Sequence, residues 1–577
     1  MKKPFSIKIG GPAGKGVKVS GLVLARALSR LGFSTFSYSE YPSLVRGGHN
    51  TYQVCFSSEE VFSIIKKIDL LIALNQETIK LHQKELDQSS LILYDPEQIK
   101  LPKGKLIGHY LALPFNRLAQ EAGGQSIMAN MVSLGAILTL SDQPLSTLEE
   151  IIEQSFKKKS QQVVQLNQKC AQAGRDFVNK KLAKFKKEID QPKVKKKKLV
   201  LTGNEAAALG GLAGGLQFYS AYPMTPATSI LHYLAAKSRE IGIVVKHAED
   251  EISAVNMAIG ASFAGARVMT ATSGGGLCLM AEAIGLAGVS ETPLVVINSM
   301  RPGPALGMPT WSGQGDLQFS LHISQDEFPR ILLAPGDAQE TFQLTKSSLQ
   351  LAEKYQLPVL ILLDKYLSES DFSCQPFSSK HFHQRYFLLE KINNEADNFF
   401  KRYSLDQQAI SPRPLPGQPG GIHCCNSYEH DEFGLATEEG RMRNLMMEKR
   451  MAKLALLQEE IPAQPIFGSE KAQIGLISWG SNKGSIRQAL TGLKGVKFLH
   501  LNWLWPFPKE QVSRFINSVK KAICLEQNQT GQLALLIREQ TGLEVENLLK
   551  YNGRPFWPNE ILEGVKGITR LRKKGRK

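Results

Sequence analysis

The chain has 577 residues, of which 42% are hydrophobic and 21% charged, and a formal net charge of +17. That length exceeds what one core usually supports, so several domains are expected, while the ordinary composition and the lack of a bilayer-length apolar run exclude a membrane-spanning chain. Seven scattered cysteines without a CxxC pair argue against a disulfide framework and against the usual cluster-binding spacing, so reduced thiols in a cytoplasmic protein are expected.

The first block covers residues 1–190. Two lysines open it, but Gly10 and Gly11 interrupt the apolar stretch at once, which reads as a short strand at 6–9 rather than a leader. A glycine-rich turn follows, then a helix over 17–31 with Val19, Leu22, Val23, Ala27 and Leu31 at helical spacing. Strands at 35–38, 51–56, 70–73 and 91–94 alternate with helices, which predicts an α/β layer with a largely parallel sheet. The turn itself, GGPAGKG, fails the Walker pattern at Ile9 and Gly16 and the dinucleotide fingerprint at Ala13. Its pattern favours a tight strand-to-helix turn, although a helix start of this kind can host an anion. Gln191, Pro192 and the lysine run at 193–198 read as a linker.

The second block covers 199–370, with strands at 244–246, 268–271, 294–298 and 359–363 and small-residue helices at 254–263 and 277–289. Three stretches stand out. Tyr222, Pro223, Met224, Thr225 and Pro226 form a loop stiffened by proline on both sides of the threonine. His247 to Glu251 places three acidic residues between a strand and a helix; such carboxylates are commonly N-caps, or they can serve a heterocycle at a subunit seam. Thr270 to Gly276 makes a glycine turn, including Ser273, Gly274 and Gly275, that backbone and ligand can approach closely. A connector over 371–467 carries a Pro-rich stretch that reads as surface wrapping and a charged helix near 438–457. A last block, 468–577, alternates again, with strands at 474–478, 496–501 and 522–525. The basic runs at 193–198 and 571–577 lack interleaved aromatics, so a solvated linker and tail are favoured over nucleic-acid binding; an acidic protein partner is the third option.

These motifs carry a resemblance. YPMTP at 222–226 resembles the YPITP signature of the 2-oxoacid:ferredoxin oxidoreductases. The stretch from Glu249 through the glycine turn resembles the family's aminopyrimidine-binding domain. Asn298 to Pro304, Gly307 to Thr310, Gln314 to Leu317, Tyr428 to Gly434 and Glu526 to Asn528 continue in family order. GPAGKGV and the residues Arg46, Gly47, Gly48 and His49 resemble the family's gamma domain, fused ahead of an alpha subunit. The resemblance implies three α/β domains: a gamma-type domain (1–190), a pyrimidine-binding domain (199–370) and, after a connector with a helix (371–467), a transketolase C-terminal-like domain (468–577).

It further implies an enzyme that oxidatively decarboxylates a 2-oxoacid to an acyl-coenzyme A and carbon dioxide while reducing ferredoxin. Thiamine diphosphate is then shared between two subunits. Glu251 matches the glutamate at N1′ of the aminopyrimidine, where it favours the imino tautomer. Thr225 matches the substrate-contacting position, and Arg301 is the candidate for the substrate carboxylate, with a surface ion pair as the alternative. Tyr222, Pro223, Ser273, Gly274 and Gly275 are the further cofactor-side candidates. The GDG segment of the diphosphate-binding half is absent, since Leu317 follows Gly315-Asp316 and Ala338 follows Gly336-Asp337. Mg2+ and a 4Fe–4S cluster are therefore expected on a beta subunit that carries GDG, with ferredoxin as acceptor, coenzyme A as co-substrate, and no membrane or specific nucleic-acid partner. No metal site is assigned in this chain, because adjacent Cys424 and Cys425 with His423 and His430 make poor chelating geometry. A non-catalytic assembly subunit is the alternative, opposed by the retention of Glu251, Thr225 and the glycine turn. Two departures from the family pattern remain: Met224 replaces isoleucine, a volume-conserving change, and Trp311 stands where many members carry Arg or Lys. If that base reads a distal carboxylate, Trp311 weakens the case for 2-oxoglutarate.

Overall fold

Runs of Val, Ile, Leu and Phe alternate with helices along the chain, and the computed structural model arranges the runs as three sheets. It describes residues 3–43, 48–101, 106–157, 159–193, 198–377, 387–392, 399–406 and 409–574, with backbone alone over 570–574. Arg46 and Gly47, most of the lysine run at 193–198 and the end of the basic tail lie outside the described residues.

The first block supplies β1 (Phe5–Pro12), β2 (Ser34–Glu40), β3 (His49–Ser57), β4 (Leu70–Ala73), β5 (Leu91–Tyr94) and β6 (His109–Ala112). The second supplies β7 (Leu199–Thr202), β8 (Phe218–Ala221), β9 (Val244–His247), β10 (Val268–Thr272), β11 (Leu294–Met300), β12 (Ile331–Leu333) and β13 (Pro358–Asp364). β14 (Asp371–Cys374) opens the connector, and β15 (Ile466–Gly468) closes it. The last block adds β16 (Ile474–Trp479), β17 (Val496–Leu501), β18 (Trp503–Trp505), β19 (Lys521–Glu526) and β20 (Glu546–Leu549).

The first sheet runs β6-β5-β4-β1-β3-β2-β14-β7. It is not largely parallel: β1, β4, β5 and β6 pair in parallel, but β3, β2, β14 and β7 extend it through antiparallel ladders. The reason is local. The chain between β2 and β3 is too short for a crossover, so the two strands must return antiparallel. β1 also runs past the expected residue 9 through both glycines, because β3 pairs with it as far as Pro12↔His49. The glycine loop therefore begins as strand and ends at Gly16, whose positive φ of 73° starts the helix Val17–Arg30.

The second sheet, β18-β12-β13-β11-β10-β8-β9, is parallel from β12 to β9, and its central strands are buried on both faces. The third runs β15-β17-β16-β19-β20. Strands cross the block boundaries read from sequence. β7 and β14 join the first sheet, and β18 of the last block pairs antiparallel with β12 of the second. One core cluster likewise holds Val296, Leu332 and Leu360 together with Ile477, Trp479 and Leu501.

The connector differs from a surface wrap. Arg413 is buried and donates to the Ser262 carbonyl at 3.0 Å, and Leu415 fills the space beside Gly265. In the charged helices Gly440–Met451 and Lys453–Glu460, Lys449 and Lys453 are buried against Glu291 at 3.1 and 2.6 Å. Burial alone would raise the Glu291 carboxyl, but Lys453 and Lys449 hold it well below the carboxylate range. No helix among the described residues is long and apolar enough to cross a membrane.

Candidate active site

Two helix starts at the carboxyl ends of β9 and β10 build the site, where open α/β sheets place their ligands. At the first, Asp250 is the N-cap of the helix Glu251–Phe263, its Oδ1 accepting from the Ser253 amide at 2.7 Å. The capping role expected of one carboxylate is thus filled by Asp250, and Glu251 is left to point elsewhere. Its side chain is buried, at 3% exposure, and its Oε1 accepts a 3.5 Å hydrogen bond from Thr272 Oγ1 on β10. Burial pushes the Glu251 carboxyl up, Asp250 adds to the rise, and Thr272 and Arg301 oppose it.

The second start is the glycine turn. Ser273 holds extended backbone at the N-cap of the helix Gly274–Val289, yet its hydroxyl caps nothing and is buried without a hydrogen-bond partner among the described residues. The three glycines have different neighbours. A Cβ at Gly276 would lie 2.0 Å from Thr272 Oγ1 and 2.5 Å from Glu251 Oε1, and one at Gly274 would lie 2.7 Å from Asp316 Oδ2. At Gly275 the nearest atom is 3.9 Å away, and the residue is exposed. Glu251 and Asp316 thus flank the turn while its middle stays open.

The YPMTP loop lies alongside. Asn204 Nδ2 donates to the Pro226 carbonyl at 2.7 Å, and Arg301 Nη1 donates to the Thr225 carbonyl at 2.8 Å. Thr225 Oγ1 has no hydrogen-bond partner among the described residues, and Tyr222 is exposed, with its ring 6.5 Å from that of His247. Met224 Sδ takes a contact from Thr272 Oγ1 at 3.7 Å, which links loop and turn. The structure therefore gathers Thr225, Arg301, Glu251 and the glycine turn; Pro223 is half-buried in the same loop.

Sequence reasoning missed Asp316 and Asn298 as site residues. Asn298 Nδ2 donates to Asp316 Oδ2 at 3.0 Å, and Asn298 Oδ1 is buried without a partner among the described residues. Burial raises the Asp316 carboxyl, against the Asn298 hydrogen bond. The available signal was that both lie in stretches that follow family order, Asn298 to Pro304 and Gln314 to Leu317, which carry no role for either residue by themselves. A cavity of about 680 Å³ lined by Pro462, Lys497, Arg514 and Phe515 shares no residue with the site.

A family model described as "Pyruvate flavodoxin/ferredoxin oxidoreductase, thiamine diP-bdg" matches residues 210–449, and one described as "Pyruvate ferredoxin/flavodoxin oxidoreductase" matches 6–177. The chain is 31% identical to the alpha subunit of 2-oxoacid:ferredoxin oxidoreductase 2 of Aeropyrum pernix, over 98% of this chain and 97% of that one. It belongs to the 2-oxoacid:ferredoxin oxidoreductases, as an alpha subunit. The alpha subunit of the Saccharolobus solfataricus enzyme is also 31% identical, with 98% of each chain covered. A solved 2-oxoglutarate:ferredoxin oxidoreductase from Magnetococcus marinus, with 2-oxoglutarate, coenzyme A and succinyl-CoA bound, superposes with a TM-score of 0.91 at 32% identity, covering 98% of this chain and 100% of that one. The oxidoreductase chain is thus one subunit of a thiamine-dependent enzyme. Its own residues fit the pyrimidine end of that cofactor: a buried carboxyl with a raised pKa, the orphaned Ser273 hydroxyl and Asn298 carbonyl, and the open backbone of Gly275. Among the described residues no group of three or more His, Cys, Asp and Glu could hold a metal ion.

Proposed function

We propose that this chain supplies the proton-handling and substrate-binding half of a 2-oxoacid:ferredoxin oxidoreductase site, which a beta subunit completes. The observation that carries the reading is a buried Glu251 carboxyl packed against Gly276, with the open backbone of Gly275 beside it. When bound, thiamine diphosphate supplies the carbon nucleophile for the 2-oxoacid carbonyl and holds the electron pair left by decarboxylation. Glu251 meets the ring nitrogen N1′ and moves a proton at that atom; burial raises its carboxyl pKa, which favours holding the proton. The backbone of Ser273, Gly274 and Gly275, with Tyr222 and Pro223, would hold the ring. Arg301, held by the Thr225 carbonyl, receives the carboxylate of the 2-oxoacid, and the Thr225 hydroxyl orients its carbonyl.

The remaining parts belong to the partner: the GDG segment, Mg2+, the 4Fe–4S cluster and electron transfer to ferredoxin, with coenzyme A taking the acyl group, in the cytoplasm. Exposed apolar side chains support a partner on this face. Ile252 and Met257 on the Glu251 helix and Leu279 on the glycine helix are each nearly half exposed. The test is E251Q in the complex of this chain with its beta subunit. Expected is a fall of about 100-fold or more in 2-oxoacid-dependent reduction of a redox dye, with thermal stability retained. Unchanged turnover would instead make this chain a non-catalytic assembly subunit.

A further inference from the structure

The loop from Arg301 to Trp311 doubles back on itself. The Met308 amide donates to the Pro302 carbonyl at 2.9 Å, and the Trp311 amide to the Met308 carbonyl at 3.1 Å. Its far end is packed against a turn that follows β20 in the last block. The Ser312 amide donates to the Gly553 carbonyl at 3.1 Å, and Gly553 lies so close that a Cβ there would come within 3.1 Å of Met308 Cε and 3.3 Å of Trp311 Cβ. That approach delivers Arg554. Its guanidinium carbon stands 3.0 Å from the centroid of the Trp311 ring, a stack that fixes the plane of the group.

The edges of that plane are used unequally. Arg554 Nε faces Glu40 Oε1 of β2 at 3.6 Å, so one edge is directed at a carboxylate from the first block. The terminal Nη1 and Nη2 have no hydrogen-bond partner among the described residues, and the side chain is 35% exposed. A guanidinium with a fixed plane and an unoccupied terminal fork matches a carboxylate, which takes two parallel N–H bonds. Arg301 and the Trp311–Arg554 stack stand at the two ends of one folded loop. Trp311 therefore seats a cation brought from another part of the chain.

We infer that Arg554 is a specificity-determining residue of this site, receiving the second carboxylate of a short 2-oxodicarboxylic acid whose 2-oxoacid end lies at Arg301. The inference rests on the half-site reading above. Trp311 is its positioning residue, and Glu40 holds the remaining edge. The test uses the complex with the beta subunit, comparing kcat/KM for 2-oxoglutarate and for 2-oxobutyrate, which differ in the distal carboxylate. R554Q is expected to lower the 2-oxoglutarate value roughly tenfold or more relative to the 2-oxobutyrate value, through KM, with R554K recovering part of the loss. Calorimetric binding of the unreactive dicarboxylate oxalylglycine should weaken in the same order. An equal loss with both substrates, or a wild-type enzyme that prefers 2-oxobutyrate, overturns the assignment while leaving the half-site reading intact. A wild-type complex that turns over neither substrate nor any other 2-oxoacid overturns both.

Discussion

Glu251 owes its chemistry to the residues that surround it more than to its own position in a run of acids. Asp250 takes the cap, Thr272 takes one carboxyl oxygen, and the missing side chain of Gly276 makes the room. The last point gives a sharp prediction. G276A would place a methyl group where Thr272 Oγ1 and Glu251 Oε1 stand, so both must move. The substitution should destabilise the chain by about 1–3 kcal/mol and depress turnover well beyond what that loss explains. A thermal melt paired with kcat checks it, and a G276A enzyme of full activity would show that the Glu251 position is unimportant. Glu251 was legible in the sequence because an acidic cluster before a small-residue helix is a visible pattern. Asp316 was not, because it meets Gly274 only through space, and the sequence around it offered no neighbour of similar chemistry.

At the scale of elements, strands paired within their own block were readable and strands that complete another block's sheet were not. β4, β5 and β17 match the expected bounds, since each is an apolar run closed by turn residues. β7, β14 and β18 span three or four residues and form because another block offers them an edge, which no local pattern encodes. The charged helices were visible as helices, but their burial was not, because Glu291, the partner of Lys449 and Lys453, comes from a distant turn. β14 also supplies a pH-sensitive joint. Tyr52 of β3 donates to the buried Asp371 carboxylate, and burial, helped by Glu205 and opposed by Tyr52, lifts Asp371 from its ordinary 3.8 to about 6. The folded chain therefore holds this proton where the unfolded chain has lost it. Its stabilising effect is complete below about pH 4 and is lost as pH rises to about 6, a change on the order of 3 kcal/mol. D371N keeps an acceptor for Tyr52 and cannot titrate, so its melting temperature should rise relative to wild type across that window. Parallel curves for the two proteins would contradict the assignment.

Across the whole molecule, the strands exchanged between sheets and the shared core tie three sequence blocks into a single support for one exposed face. On that face lie the buried Glu251 carboxyl, the YPMTP loop and exposed apolar side chains; the sequence contains neither a GDG segment nor cluster-spaced cysteines. The net charge of +17 had left a nucleic-acid reading open, and the family settles the class of the chain in favour of an oxidoreductase subunit. What the whole-chain motifs left out was Arg554, whose neighbourhood with Trp311 exists only after folding. The central claim is that the active site is divided between two chains, and equilibrium binding of thiamine diphosphate with Mg2+ tests it most directly. The purified chain alone should show no saturable binding and no turnover, and addition of the beta subunit should produce both. Saturable binding with 2-oxoacid turnover by the chain alone would contradict the account.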